Sequence, residues 1–171
     1  MLRMFGKMLR IGIVSEDPRV ARDPEAVALE AAGAKLRQRI DRRFRGSLAI
    51  RHVDAGSCNG CELEIHALNN PYYAVERFGV HFVASPRHAD LLLVTGPVSR
   101  HMEAALRRTW DATPGPKWVI AAGDCAACGG EFGISYASCG AVENVIPVDL
   151  KIAGCPPTPA KLLEGILQLM Q

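Results

Sequence analysis

The chain has 171 residues, 49% of them hydrophobic and 22% charged, with a formal net charge of +2 and six cysteines. That length and composition suit one sizeable core, and so mild a charge makes no case for a nucleic-acid partner. No run approaches the roughly 18 apolar residues of a membrane span, and the first residues lack the features of a secretory signal. A soluble or peripheral protein is therefore expected, whose cysteines serve metal ligation or burial rather than disulfides.

Residues 1–46 hold 11 of the 20 Lys and Arg but only 6 of the 18 Asp and Glu. The amino end is thus the basic end, suited to an acidic or membrane neighbour. Within it, residues 1–10 place Leu2, Phe5, Met8 and Leu9 on one helical face and Arg3, Lys7 and Arg10 on another, the pattern of a short basic amphipathic helix. Lipid headgroups, a partner subunit and a frayed end all fit so short a segment. A helix over 24–43 follows, opened by Asp23 as cap and Pro24 at the first helical position. Its arginine-rich end (Arg37, Arg39, Arg42, Arg43, Arg45) opposes the negative end of the helix dipole or forms a solvated face.

From residue 47 onward, short apolar runs alternate with helical segments. This predicts an α/β domain over 47–171 with a mostly parallel sheet, preceded by an extension over 1–46. Strands are expected at 48–53, 80–84, 91–94, 118–121 and 148–152. Helices are expected at 61–68, 73–78, 100–112 and 159–170. In open sheets of this class, sites form beyond the carboxyl ends of the strands. The cysteines fall there: Cys58 and Cys61 after the first strand, Cys125 after the fourth and Cys155 after the fifth.

Thiolates fixed at four such points suit an iron–sulfur cube. In Cys58-Asn59-Gly60-Cys61-Glu62, glycine lets the backbone curl around a bulky ligand. Asp124-Cys125-Ala126-Ala127-Cys128-Gly129-Gly130 offers similar room, and Pro156 and Pro157 stiffen the loop after Cys155. Six cysteines allow more than one set of four. Zinc held by Cys58, Cys61, Cys125 and Cys128 is the rival, although some sixty residues separate the pairs where zinc ribbons keep them about 15–20 apart. A thioredoxin-type pair lacks its expected aromatic surroundings.

Taken in order, Cys58-Asn59-Gly60-Cys61-Glu62, Ala84-Ser85-Pro86-Arg87-His88-Ala89-Asp90, Thr95-Gly96-Pro97-Val98-Ser99, Gly123-Asp124-Cys125, Pro147-Val148-Asp149 and Gly154-Cys155-Pro156-Pro157 resemble the 20 kDa subunit family of NADH:ubiquinone oxidoreductase. That family includes the small subunits of energy-converting, membrane-bound nickel–iron hydrogenases. The likeness covers about 47–171. The Cys-x-x-Cys pair is similar to the hydrogenase branch rather than to the adjacent cysteines usual in complex I.

The resemblance implies a flavodoxin-like fold and one 4Fe-4S cluster held by Cys58, Cys61, Cys125 and Cys155. It implies an electron-transfer subunit with no bond-making of its own. The partners it implies are a nickel–iron large subunit or its complex I counterpart, a ferredoxin-like iron–sulfur subunit and integral membrane subunits, at the cytoplasmic face of the membrane. Complex I-like quinone oxidoreduction and a zinc-stabilised interaction module are the alternatives. Cys128 and Cys139 lie outside the shared ligand pattern. Backbone amides of Gly60, Gly123, Gly129 and Gly130 are candidate donors to the sulfurs. Glu62 and His88 are candidates for a proton-coupled role, against plainer readings of Glu62 as a helix-dipole partner and His88 as a surface residue.

Overall fold

The computed structural model describes residues 24–170, together with 6, 7 and 10. The helix expected over 1–10 and the Asp23 cap lie largely outside the described residues. Five strands form one sheet: β1 Leu48–Asp54, β2 Val80–Phe82, β3 Leu91–Thr95, β4 Trp118–Ala122 and β5 Leu150–Ile152. Their order is β2-β1-β3-β4-β5 and every neighbouring pair is parallel. This is the strand order of flavodoxin-like folds, so the expected class is observed.

Every residue of β3 is buried, as a central strand covered on both faces must be. Its side chains alternate between two layers by the period of two that a strand imposes. Leu91 and Leu93 join Leu48, Ile50 and Ile120 under three helices: α1 Pro24–Phe44, α2 Gly60–Ala67 and α5 Pro159–Leu169. Leu92 and Val94 join Val53, Val119 and Ala121 under α3 Arg100–Ala112 and the short α4 Asp124–Cys128. Ser99 and Thr158 cap α3 and α5 by accepting from Met102 N and Lys161 N.

Several boundaries differ from expectation. β2 stops at Phe82, because Val83 N donates the last ladder bond to Ile50 O at 2.9 Å before the chain turns into a 3₁₀ segment, Pro86–His88. Residues 51–54 of β1 consequently pair with β3 alone. β5 begins at Leu150, just after Asp149 has clasped Val119 twice, its N donating to Val119 O at 2.9 Å and its carboxylate accepting from Val119 N at 2.7 Å. The helix expected over 73–78 is a single 3₁₀ turn, Val75–Phe78, entered through Ala74 at φ 41.

α1 is bound into the core through Leu29, Leu36 and Ile40. Two of its arginines cover their own fold: Arg39 Nη1 donates to Leu167 O at 2.9 Å, and Arg43 lies 5.0 Å over the Trp118 ring. No helix among the described residues is long and apolar enough to cross a membrane. Phe132, Ile134 and Tyr136, in the loop after α4, are 66%, 72% and 97% exposed.

Gly33 is where α1 meets the 3₁₀ turn, and a Cβ there would stand 2.2 Å from Phe78 Cζ. Gly33→Val is expected to cost about 1–3 kcal/mol by overpacking, read as a lowered midpoint in thermal or urea unfolding.

Candidate metal centre

Parallel pairing brings the carboxyl ends of β1, β3, β4 and β5 to one edge, and local hydrogen bonds shape the loops that leave it. After β1, Asp54 Oδ1 accepts from Gly56 N and Ser57 N, each at 2.8 Å. Asn59 is left-handed at φ 72, and α2 starts immediately after it, so Cys61 lies in the first turn. After β4, Cys125 lies in the first turn of α4, a five-residue helix closed by Gly129 at φ 92. A reciprocal clasp ties this loop to the Cys155 loop. Asp124 N donates to Gly154 O at 2.9 Å, and Gly154 N donates to Asp124 Oδ1 at 2.8 Å.

Two of the four expected cysteines have raised thiol pKa values. The Cys61 thiol is pushed up to about 12 by burial first, then by Glu62 and by the thiols of Cys125, Cys58 and Cys155. Cys125 is likewise raised, by burial and then by Cys155 and Cys58. Two glycines let the backbone pass against the sulfurs. At Gly123 (φ +90) a Cβ would stand 2.6 Å from Cys61 Sγ, and at Gly130 (φ +55) one would stand 2.8 Å from Cys125 Sγ. Four soft donors converging from three loops, in a cradle that a methyl group would fill, fit an iron–sulfur cluster.

The other two cysteines make bonds of their own, and Cys128 also acts on Cys125. Cys128 Sγ donates to Asp124 O at 3.1 Å, and buried Cys139 donates to Glu103 Oε2 at 3.3 Å. Tetrahedral zinc needs sulfurs about 2.3 Å from one point. Among the described residues, no group of three His, Cys, Asp or Glu is arranged to hold a single metal ion. Two of the amides expected to face sulfur are committed to backbone: Gly123 N donates to Ile152 O and Gly129 N to Cys125 O, as the turns closing β4 and α4 require.

Glu62 is 7% exposed. Ser57 Oγ donates to its Oε2 at 2.5 Å, Thr95 Oγ1 donates to its Oε1, and His52 Nε2 lies 3.6 Å from Oε1. Burial lowers the His52 pKa, outweighing the opposing pull of Glu62. Thr95 opens one of the quoted motifs, whereas Ser57 and His52 belong to none. Their signal is positional, because all three sit at or just beyond the carboxyl ends of the paired strands β1 and β3. His88 is not brought to this group: it is exposed in the 3₁₀ segment that precedes β3, at the opposite edge of the sheet.

Asp124→Ala leaves the Gly154 amide without its carboxylate acceptor. It is expected to cost about 1–3 kcal/mol in apo-protein unfolding, whereas Asp124→Asn, which keeps Oδ1, stays near wild type. The raised Cys61 thiol also sets a pH dependence. Its folded value, about 12, exceeds the 9.0 of a free thiol, so its contribution is present below pH 9 and lost as pH rises through that window. Apo-protein unfolding midpoints should fall between those limits, and Cys61→Ser should flatten the fall.

With this geometry in place, comparison with known proteins adds four likenesses. The family described as NADH ubiquinone oxidoreductase, 20 Kd subunit, matches residues 58–169. Formate hydrogenlyase subunit 7 of Escherichia coli (strain K12) is 42% identical over 142 residues, which are 83% of this chain and 56% of that protein. The probable membrane-bound hydrogenase subunit mbhJ of Pyrococcus furiosus is 46% identical over 122 residues, 71% of this chain and 73% of that one. Among solved structures, a chain of the membrane-bound sulfane sulfur reductase, an archaeal respiratory membrane complex, superposes with a TM-score of 0.64 at 33% identity, covering 85% of this chain and 74% of the other. The chain thus spans little more than half the length of the first of these relatives.

Proposed function

The chain belongs to the NADH ubiquinone oxidoreductase 20 kDa subunit family, and from that membership we propose that it is the electron-transfer small subunit of a membrane-bound hydrogenase complex. In this reading Cys58, Cys61, Cys125 and Cys155 hold one 4Fe-4S cluster beside a nickel–iron large subunit. A ferredoxin-like subunit and integral membrane subunits complete the assembly, which lies at the cytoplasmic face of the membrane. The observation that carries the reading is the close approach of the loops that bear the four cysteines: a Cβ on Gly60 would meet Cys58 Sγ and Pro156, one on Gly123 would meet Cys61 Sγ, and the Asp124–Gly154 clasp joins the Cys125 loop to the Cys155 loop. The Cys-x-x-Cys spacing of the first pair favours the hydrogenase branch over the complex I branch.

When bound, the cluster supplies reversible one-electron storage at a potential set by charge, hydrogen bonding and exposure. The chain's own part is placement. Asp54 shapes the Cys58 loop, the Asp124–Gly154 clasp fixes Cys125 relative to Cys155, and Gly123 and Gly130 admit the sulfurs at close range. Glu62, buried and joined to Ser57, Thr95 and His52, is the carboxylate the fold fixes directly after the Cys61 ligand, and it is the candidate for a proton-coupled role. His88, at the far edge, has a weaker claim to that role.

Anaerobically purified protein is expected to contain about four iron and four acid-labile sulfides per chain. Cys155→Ser is expected to lose most of both, while Cys128→Ser and Cys139→Ser keep them. Stoichiometric zinc without iron would overturn the reading, and nickel in the co-purifying large subunit separates hydrogenase from a quinone-reducing relative.

A further inference from the structure

The segment Thr95-Gly96-Pro97-Val98-Ser99 carries no cysteine, yet the Cys58 loop rests on it. Ala55 N donates to Thr95 O at 3.0 Å, and Ser99 N donates to Ala55 O at 2.8 Å. The two backbones touch: at Gly96 (φ +74) a Cβ would stand 2.4 Å from Ser57 N, and at Gly56 (φ +129) one would stand 3.1 Å from Pro97 O. The main chain of Ser57 is thereby pinned, and its side chain acts on the turn that follows. A serine hydroxyl has one proton to give and two lone pairs to accept with. Here the proton goes to Glu62 Oε2 at 2.5 Å, and the oxygen accepts from Asn59 N at 3.1 Å. Glu62 is held at Oε1 by the hydroxyl of Thr95, a fully buried residue. Cys58 and Cys61 are thus enclosed between Ser57 and Glu62, which are bonded to each other and, through Thr95, to the end of β3.

Cys58 is the cysteine with least other support. Cys61 and Cys125 lie on α2 and α4, and Cys155 directly follows the Asp124–Gly154 clasp. Cys58 is exposed and belongs to no helix or strand. We propose that Ser57 is the positioning residue for Cys58, its hydroxyl spanning Asn59 N and Glu62 so that the Cys58 thiol stays in place to ligate iron. This rests on the electron-transfer reading, in which Cys58 is a ligand. The bond to the Glu62 carboxylate is charge-assisted and is the stronger of the two. In Ser57→Ala, Asn59 N sits on an exposed residue and meets water instead, so the fold persists while the tie across the cysteine turn is lost.

The test uses the anaerobically purified full chain with its iron in place, treated with iodoacetamide and read by mass spectrometry at each cysteine. The thiolate is both the nucleophile and the metal ligand, so the initial alkylation rate at Cys58 reports its release from iron. Exposed Cys128 is the internal reference. Relative to Cys128, Ser57→Ala should label Cys58 at least about tenfold faster than wild type, while Cys61, Cys125 and Cys155 keep wild-type rates. Ser57→Thr, which keeps the hydroxyl, should return Cys58 to the wild-type rate. Thr95→Val removes the other donor to Glu62 but leaves the Asn59 bond, and should give a smaller acceleration at the same cysteine. Gly33→Val, which loosens the fold far from this loop, should leave the Cys58 rate unchanged.

Wild-type labelling of Cys58 in both Ser57→Ala and Thr95→Val overturns the proposal. So does equal acceleration at all four ligand cysteines in Ser57→Ala, the result that general loosening produces. A wild-type chain that holds no iron defeats the electron-transfer reading instead, an outcome reached before any variant is made.

Discussion

Parallel register is the constraint on which the rest depends. β1, β3, β4 and β5 run side by side in the same sense, so their carboxyl ends share one edge although the loops that follow are far apart in sequence. A single antiparallel strand among them would send one cysteine to the opposite side. The buried run Leu91-Leu92-Leu93-Val94 makes that register stable, because it offers both faces to apolar layers and slips only by exposing leucine.

The same convergence has an electrostatic cost. Burial first, and then neighbouring charge and thiols, raises both Cys61 and Cys125. Metal ligation requires the thiolate, so a metal held by these residues would release protons on binding. Asp54, Asn59 and the Asp124–Gly154 clasp shape the loops through hydrogen bonds and a left-handed turn.

Much of this was legible in the residue order. Apolar runs marked all five strands. Cys58, Cys61, Cys125 and Cys155 stood out because they follow strands. What was hidden depended on three-dimensional neighbours. The α4 helix is too short to show periodicity and sits in glycine-rich text. The Cys128 bond to Asp124 O arises only once α4 has formed. His52 carried no motif, yet strand pairing sets it against Thr95 at 3.0 Å and close to Glu62. Arg51 drew no notice in the residue order, and its unmet N–H emerges only from packing.

The early end of β2 matters for life before assembly. A strand margin without a neighbour is an invitation to the margins of other molecules, and here it lies beside apolar side chains. The stretch is only four residues long and carries Arg51 at its start and Asp54 at its finish. Ionic groups at both limits discourage a second molecule from zipping onto it, so the opening is guarded against stray copies yet remains available to a complementary neighbour.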